Sequence, residues 1–422
     1  MHKLRLLGFI AFAILCIFVS QYNPQKNSPK FQPTGLNSHF ISPSPQSFAD
    51  YVQTSTTMVK DARTKAQVRA GSKIVRGNSP LILTPDPNLC KKDPNGKYKN
   101  GILLIHGLFD SPYPMQVLGR YFQSKCFLTY VLLLPGHGTV PGDLLKVNFQ
   151  DWIAATHFGA TQLATEVNQV WLGGHSLGGT LAINEALENR NGYKALILFA
   201  PALKINSPLL PFAKPIYYAS VAIPAFQWWK KYSESSPYSY ESVAVNAVYQ
   251  AKRIMDKVSE KLETQNLTLP LFIEQSADDT TIKADQTLKL MEKDPNPLSQ
   301  MLWFSSKGSS PSTDTRIKTL TSYIPDQRIL SLSHISLTSP DTDPVYGLHG
   351  IYKSCLQYPE QSTKWLQCKT GLNTYQGEIT PYNLDRYLLQ RITFNPFYGE
   401  MIKGLDQFIA EKGVKTNFLV EP

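Results

Sequence analysis

The stretch WLGGHSLGGT, residues 171–180, places four glycines around a single serine, Ser176. Glycine destabilises the interior of helices and strands, so such a cluster marks a place where the backbone passes through a crowded turn. A strand-like apolar run, residues 169–173, precedes the serine, and a segment with helical periodicity, residues 180–188, follows it. The sequence therefore predicts a change from strand to helix at this serine.

The central five residues of this stretch, GHSLG, fit the G-x-S-x-G pattern, in which a tight strand-to-helix turn exposes a nucleophilic serine. Gly174 and Gly178 remove side chains that would clash in such a turn. The serine hydroxyl then lies near the positive end of the following helix. We predict that Ser176 is a nucleophile and that the backbone N–H of Leu177 donates a hydrogen bond to an oxyanion.

A nucleophilic serine needs a base, and in this kind of site the chain order is serine, then an acid, then histidine. Only two of the eight histidines follow Ser176 in the chain. His334 comes directly after an apolar run, residues 328–331, as a loop-borne base should. We therefore predict that His334 is the base, with His349 as the alternative.

The acid is expected after a strand that lies between the serine and the histidine. The segment IEQSADDTTI, residues 273–282, follows an apolar run and contains two neighbouring candidates, Asp278 and Asp279. The spacing to Ile282 favours Asp279, whose role would be to orient the imidazole of His334 and stabilise its charged form.

A second oxyanion donor is expected from the segment IHGLFDS, residues 105–111, which follows a strand-like run. The backbone N–H of Leu108 is the predicted donor. Three histidines near these turns, at positions 106, 137 and 175, are interpreted as structural, because each precedes the acid in the chain.

Strand-like runs alternate with helical segments along most of the chain, which predicts a mainly parallel sheet flanked by helices. Residues 200–268 interrupt this alternation with prolines and aromatic side chains, and such an insertion is too long for an ordinary connection. We predict that residues 203–267 form a helical cap over the carboxyl edge of the sheet. The predicted strands are at residues 80–84, 101–105, 130–134, 169–173, 195–199, 269–273, 301–304 and 328–331.

The amino terminus differs from the rest of the chain. Residues 1–20 combine a basic start with an apolar run and are predicted to be a signal peptide or membrane anchor. Residues 21–75 are expected to be a flexible tether and a partly helical leader, and residues 76–422 the folded domain. These features favour a periplasmic protein, either free or anchored to the inner membrane and facing the periplasm; secretion is the alternative.

Four cysteines lie outside the leader, at positions 90, 126, 355 and 368. An oxidising compartment favours disulfides, and four cysteines allow three pairings. Cys355 with Cys368 would close a short loop, which leaves Cys90 with Cys126.

The formal net charge is +10, and hydrophobic residues make up 42% of the chain, as expected for a globular protein with a solvated basic surface. No nucleic-acid motif is present in the sequence. We expect neither a metal nor an organic cofactor.

Four motifs follow one another in the order seen in a known superfamily: GILLIHGLFDSPYPMQVLGRYF, LLLPGHGTVPGDL, FQDWI and VWLGGHSLGG. Together they resemble the serine hydrolase branch of the α/β-hydrolase superfamily, which contains bacterial carboxylesterases, monoacylglycerol lipases and lysophospholipases. The resemblance implies that Ser176 attacks an acyl carbonyl and that His334 acts first as base and then as acid. It also implies that the N–H groups of Leu108 and Leu177 hold the oxyanion.

The expected function is the hydrolysis of carboxylic esters of the acyl ester, monoglyceride or lysophospholipid type, through an acyl-enzyme. The expected partner is a small ester or lipid substrate, with membrane association through the N-terminal apolar segment. Two alternatives stay open: a peptidase similar to proline aminopeptidases, and a hydrolase-like fold that binds without catalysis.

Overall fold

The computed structural model describes residues 28–40, 46–190 and 192–411. The expected signal peptide or anchor, residues 1–20, lies outside these described residues. Within them, no helix has the length and apolar character needed to cross a membrane.

An eight-stranded sheet lies at the centre of the described chain, and its strands are β1 Leu81–Leu83, β2 Tyr98–Ile105, β3 Phe127–Leu132, β4 Val167–His175, β5 Leu196–Phe199, β6 Leu271–Ser276, β7 Gln300–Ser305 and β8 Ile317–Thr321. They lie side by side in the order β1-β3-β2-β4-β5-β6-β7-β8. Only β1 runs antiparallel to its neighbour, β3. The mainly parallel sheet predicted from the alternation of strands and helices is therefore confirmed.

Helices cover both faces of this sheet, which explains why its strands are continuous apolar runs. The α-helices of the described chain are α1 Phe48–Lys65, α2 Ser72–Gly77, α3 Tyr113–Ser124, α4 Phe149–Glu166, α5 Leu177–Glu188, α6 Ala213–Ala222, α7 Val245–Thr264, α8 Ala284–Lys293, α9 Thr363–Thr370, α10 Pro381–Arg386 and α11 Tyr398–Glu411.

Two neighbouring side chains of β2 show how the sheet is enclosed. Leu103 lies against Gly159 of α4, whereas Leu104 points to the opposite face and lies against Gly119 of α3. Both glycines lack a Cβ at the point of closest approach, so the two helices pack tightly on the strand.

The prediction of a strand at residues 328–331 is wrong. Strand β8, Ile317–Thr321, occupies the free edge of β7 instead, and residues 328–331 make only isolated bridges through Ile329. Arg328 has a φ of 55°, a left-handed conformation that an extended strand does not contain. The segment leads into the loop of His334 without joining the sheet.

The segment expected to cap the sheet contains α6, α7 and a small antiparallel pair formed by Trp228–Lys230 and Val243–Ala244. Helix α7 buries Ala247, Ala251 and Ile254, and its contacts include α5. Because α5 follows Ser176 directly, this packing holds the insertion close to the predicted nucleophile.

The expected flexible tether differs from the structure over residues 28–40, which pack against the folded domain. Phe31 is buried and meets the ring of Trp228 edge-on at 5.3 Å. The backbone N–H of Thr34 donates to Asp143 Oδ1 at 2.6 Å, and the Asn37 amide donates to the His137 carbonyl at 2.6 Å. One buried aromatic ring and these buried hydrogen bonds fix a segment whose composition indicates disorder.

The disulfides join Cys90 to Cys126 and Cys355 to Cys368, the pairs that the sequence favours. The first links the loop after β1 to the start of β3. The second lies in the segment that follows the predicted base, where it joins the loop before α9 to α9 itself.

The segment after residue 335, which we call the tail, folds back onto the sheet. Helix α11 places Phe408 against Trp171 and Phe272, with ring centroids 6.0 and 5.7 Å apart. A short parallel pair, Tyr375–Gly377 with Leu389–Arg391, lies earlier in the tail. The tail therefore packs against the sheet through α11, and it also reaches the loop that carries His334.

Candidate active site

Ser176 lies at a strained turn between β4 and α5, with φ 54° and ψ −116°. A Cβ at Gly174 would lie 2.3 Å from the Gly178 carbonyl carbon, and a Cβ at Gly178 would lie 2.1 Å from the Ile105 oxygen. Both contacts are shorter than atoms can tolerate, so the turn forms only with glycine at these two positions. This is the strand-to-helix turn that the sequence predicts.

Three side chains that are distant in sequence form a hydrogen-bonded chain at the carboxyl edge of the sheet. The Nε2 atom of His334 lies 2.8 Å from the hydroxyl of Ser176, and its Nδ1 atom lies 2.6 Å from Oδ2 of Asp279. All three residues are buried. Since a carboxylate only accepts, Nδ1 carries the proton and Nε2 is free to accept one from the serine.

The two neighbouring aspartates have different partners. Asp279 also accepts hydrogen bonds from the backbone N–H groups of Thr281 and Ile282, at 2.8 and 3.0 Å, which fix its carboxylate. Asp278 instead accepts from the backbone N–H and the hydroxyl of Ser306, at 2.9 and 2.7 Å. Of the two, only Asp279 contacts the histidine.

The other candidate base, His349, is exposed in a loop of the tail. The hydrogen bonds that join Ser176 and Asp279 involve His334, the preferred candidate. This geometry favours His334 over His349 as the partner of the serine.

Burial would raise the pKa of Asp279, but the charge and hydrogen bond of His334 and the two backbone N–H donors outweigh it. The pKa of this carboxyl is therefore held below its usual range, and Asp279 is ionised at neutral pH. An ionised acceptor at Nδ1 stabilises a positive charge on the imidazole.

The backbone N–H groups of Leu108 and Leu177 have no hydrogen-bond partner within the described residues. Leu177 is the first residue of α5, where helix geometry leaves the N–H groups unpaired. Both residues line the same cavity as Ser176. Hydrogen bonds hold the neighbouring Phe109 on both sides, from its N–H to His137 and from Tyr240 to its carbonyl.

The three histidines interpreted as structural make hydrogen bonds to backbone groups. His106 accepts from the N–H of Leu134, and His175 Nε2 lies 3.0 Å from the carbonyl oxygen of His334. Burial lowers the pKa of His137 to about 4 and that of His175 to about 3, and it also lowers the pKa of His106. They are therefore neutral at pH 7.

A cavity of about 380 Å³ opens above Ser176. Its walls combine residues of the predicted cap, such as Tyr240 and Met255, with residues of the tail, such as Tyr352. A second, mainly apolar cavity of about 190 Å³ lies under α6. The two share Ile205, Val243 and Val248 as lining residues, so the cavities adjoin.

Sequence reasoning did not identify the contribution of the tail. Arg391 lines the cavity together with Ser176, and Glu378 accepts a hydrogen bond from the backbone N–H of His334 at 3.1 Å. A charged pair that contacts a distant loop leaves no periodic pattern in a sequence, so no signal in one chain could have identified these residues. No cluster of side chains suited to hold a metal ion occurs in the part of the chain that the structure describes.

Comparison with protein families matches residues 96–305, just under half of the chain, to the family described as serine aminopeptidase, S33. Thermostable monoacylglycerol lipase from Bacillus sp. (strain H-257) is 31% identical over 83 residues, which are 20% of this chain and 33% of the lipase. This match therefore spans a third of the lipase's length.

Carboxylesterase from Bacillus subtilis (strain 168) is 21% identical over 240 residues, which cover 54% of this chain and 89% of the esterase. Among solved structures, a monoacylglycerol lipase of Paleococcus ferrophilus is 16% identical, with a TM-score of 0.41, over 54% of this chain and 88% of that chain.

Proposed function

We propose that this chain, which belongs to the α/β-hydrolase superfamily, hydrolyses carboxylic esters through an acyl-enzyme formed on Ser176. The observation that carries the proposal is the hydrogen-bonded chain from Ser176 through His334 to Asp279 at the base of a cavity. A nucleophile bonded to a base, which a third group orients, is the arrangement that acyl transfer requires.

In the acylation step, Ser176 Oγ forms a bond to the acyl carbonyl carbon while His334 Nε2 takes the hydroxyl proton. The negative charge that develops on the carbonyl oxygen is stabilised by the N–H groups of Leu108 and Leu177. His334 then gives its proton to the leaving alcohol as the ester bond breaks. Asp279 stays ionised and stabilises the imidazolium in between.

In the deacylation step, His334 takes a proton from a water molecule, whose oxygen attacks the acyl carbon of the acyl-enzyme. The same two N–H groups stabilise the second oxyanion. When the bond to Ser176 breaks, the proton on His334 returns to the serine oxygen, and a carboxylic acid leaves. The free enzyme is restored with no other reactant than water.

The substrate class that suits the cavity is an acyl ester with an apolar chain, of the monoglyceride or lysophospholipid type. The apolar cavity under α6 adjoins the cavity of Ser176 through Ile205, Val243 and Val248 and offers room for such a chain. A similar monoacylglycerol lipase from a Bacillus species is consistent with this choice.

Export of the protein is part of the proposal. Two disulfides in the described chain suit an oxidising compartment. The apolar residues near the amino terminus, on which both export and membrane association depend, lie outside the described residues.

The test is mass spectrometry of the protein after treatment with a fluorophosphonate probe, together with the hydrolysis of p-nitrophenyl esters of graded chain length. We expect the label on Ser176 and turnover with an optimum at a medium or long acyl chain. A folded protein that neither reacts with the probe nor hydrolyses any ester would overturn the proposal and favour binding without catalysis.

A peptidase that removes amino-terminal residues is the second candidate, because Asp110 and Glu241 line the same cavity as Ser176. Acidic side chains there could bind a free amino group. Proline and alanine p-nitroanilides test this candidate, and faster turnover of these amides than of esters would favour it.

A further inference from the structure

Glu378, in the tail, links the two loops that carry the predicted acid and base. Its side chain is fully buried. Oε2 accepts from the backbone N–H of His334 at 3.1 Å and from that of Thr280 at 3.5 Å. Thr280 directly follows Asp279, so a single carboxylate oxygen contacts the backbone beside both residues.

Arg391 completes this arrangement from the short strand Leu389–Arg391. Its Nε and Nη2 atoms donate to the two oxygens of Glu378 at 2.8 and 2.9 Å, a bidentate pair. Nη2 also donates to the hydroxyl of Thr281 at 2.8 Å. The backbone N–H of Thr281 in turn binds the carboxylate of Asp279.

We infer that Glu378 and Arg391 are positioning residues for the catalytic histidine and aspartate, and that they set the electrostatic environment in which His334 accepts a proton. The inference rests on the proposed function. Both residues lie beyond residues 96–305, so they belong to the part of the chain that the family match leaves out.

The pair combines a geometric role with an electrostatic one. The short hydrogen bonds of the catalytic chain require the loops of Asp279 and His334 to keep a fixed separation, and Glu378 and Arg391 bind both loops. A shift of about 1 Å in such a site lowers the rate by up to roughly 100-fold. In addition, each charge of the pair compensates the other next to the two loops that carry His334 and Asp279.

Charged and titratable groups surround His334 from several elements, and Asp110 and Glu241 line the cavity that it shares with Ser176. Asp279 binds its ring from the loop after β6, and His175 lies beside it at the end of β4. Glu378 binds its backbone, and Arg391 holds Glu378, both from the tail. Removing the negative charge of Glu378 therefore disfavours the imidazolium of His334, and removing the positive charge of Arg391 favours it.

The experiment measures kcat and kcat/KM against pH for Glu378→Gln and Arg391→Met, with a p-nitrophenyl ester. Glu378→Gln leaves the positive charge of Arg391 uncompensated, which disfavours the imidazolium, so the acidic limb should move to lower pH. Arg391→Met leaves a negative charge, so the limb should move to higher pH. We expect shifts of roughly one unit and a fall in kcat of about 10- to 100-fold, with a smaller change in KM.

Two further variants separate the effect of geometry from that of charge, and they still test the inference if a single substitution weakens folding. Arg391→Lys keeps the charge but loses the bidentate geometry, so kcat should fall while the acidic limb stays in place. The double variant Glu378→Gln with Arg391→Met removes both charges, so its limb should return toward that of the wild type. Urea unfolding and near-ultraviolet circular dichroism identify the variants that are folded.

Arg316→Lys is the matched control. Arg316 forms an ion pair with Asp314 and contacts Asp294, with its side chain 19% exposed, against 21% for Arg391. It lies in the loop before β8 and makes none of its hydrogen bonds to the catalytic loops. We expect it to lower the free energy of unfolding without moving the acidic limb.

If the acidic limb does not move in folded, active Glu378→Gln and Arg391→Met variants, the inference is overturned and the proposed function is left intact. Shifts of the same sign in both variants would also overturn it. A wild-type protein that neither hydrolyses esters nor labels at Ser176 would overturn the proposed function, and the positioning role would be lost with it.

Discussion

The imidazole Nε2 of His334 lies 2.8 Å from the hydroxyl of Ser176, although 158 residues separate the two in the chain. The strained turn fixes the serine, and the loop behind residues 328–331 carries the histidine. Because the opposite ring nitrogen binds Asp279, the nitrogen that faces the serine is the one able to accept a proton.

Ser176→Ala should abolish fluorophosphonate labelling and lower kcat for esters by a factor on the order of 10⁵ to 10⁶. The substitution removes the nucleophile but only one oxygen atom, so the free energy of unfolding should change by less than about 1 kcal/mol. Steady-state kinetics and urea unfolding measure the two effects. Residual turnover close to the wild-type rate would show that another group attacks the ester.

Asp279→Asn should lower kcat by about 10⁴-fold, because an amide no longer fixes the tautomer and charge of the histidine. Asp278→Asn is the matched control, since its carboxylate binds Ser306 and not the imidazole. We expect kcat of this control to stay within about threefold of the wild type. Steady-state kinetics of the two purified variants decide whether Asp279 or Asp278 is the acid. A large loss of kcat in Asp278→Asn, with little loss in Asp279→Asn, would make Asp278 the acid.

Gly178→Ala should lower the free energy of unfolding by about 3 kcal/mol and abolish ester hydrolysis. The added Cβ would lie 2.1 Å from the Ile105 oxygen, so the turn must move. Gly399→Ala in α11 is the control, because no atom lies within 4 Å of its added Cβ. This control should be neutral or more stable by up to about 1 kcal/mol. Thermal and urea unfolding distinguish a crowded turn from a general intolerance of alanine.

Glu274 should make the fold less stable as the pH rises. Burial raises the pKa of this carboxyl well above its usual value, and neither oxygen has a hydrogen-bond partner among the described residues. An unfolded glutamate ionises near pH 4.3, whereas the folded one stays protonated at higher pH. Its contribution to stability is therefore fully present below about pH 4.3. It is lost progressively as the pH rises from there toward the raised pKa of the folded protein.

Glu274→Gln removes this titration, so the variant should gain stability relative to the wild type as the pH rises from 4 to 8. Urea unfolding at pH 4, 6 and 8 measures the difference in the free energy of unfolding. Each pH unit within the titration range should add up to about 1.4 kcal/mol. A difference that does not change with pH would mean that Glu274 ionises normally in the folded protein.

Removing the disulfide between Cys90 and Cys126 with a double serine substitution should lower the free energy of unfolding by about 2–4 kcal/mol. This bond closes a loop with a sequence separation of 36, against 13 for Cys355 and Cys368. The entropy model predicts a larger loss for the longer loop. Urea unfolding of the two double variants compares them, and a larger loss for the short loop would contradict the model here.

The central turn was predictable because all its determinants are local. Two glycines, a serine and the flanking strand and helix lie within about twenty residues, and each has its own periodic or steric signature. The sheet was predictable for the same reason, since buried parallel strands are continuous apolar runs. Asp279 and His334 came from chain order and spacing, and the structure brings both to Ser176.

The parts that sequence reasoning missed depend on contacts between distant segments. The composition of residues 28–40 predicts disorder. The contacts that order them are with Trp228 and Asp143, far along the chain, and a local pattern does not indicate such contacts. Residues 328–331 read as a strand because their composition is apolar, but β8 already occupies the edge of β7. Glu378 is 44 residues from His334, and a single chain carries no signal of that hydrogen bond.

The site that we propose to be catalytic extends, through the tail, beyond residues 96–305, the segment that the family match covers. A chain shortened after residue 340 would keep Ser176, Asp279 and His334 but would lose one wall of the cavity and the carboxylate that binds the backbone of the histidine. Residues 96–305 contain Ser176 and Asp279 but neither His334 nor the tail, so this region alone does not form the site. If that region were grafted onto another protein, or the chain were trimmed to it, the proposed nucleophile would be kept. The proposed base and the carboxylate that binds its backbone would be lost.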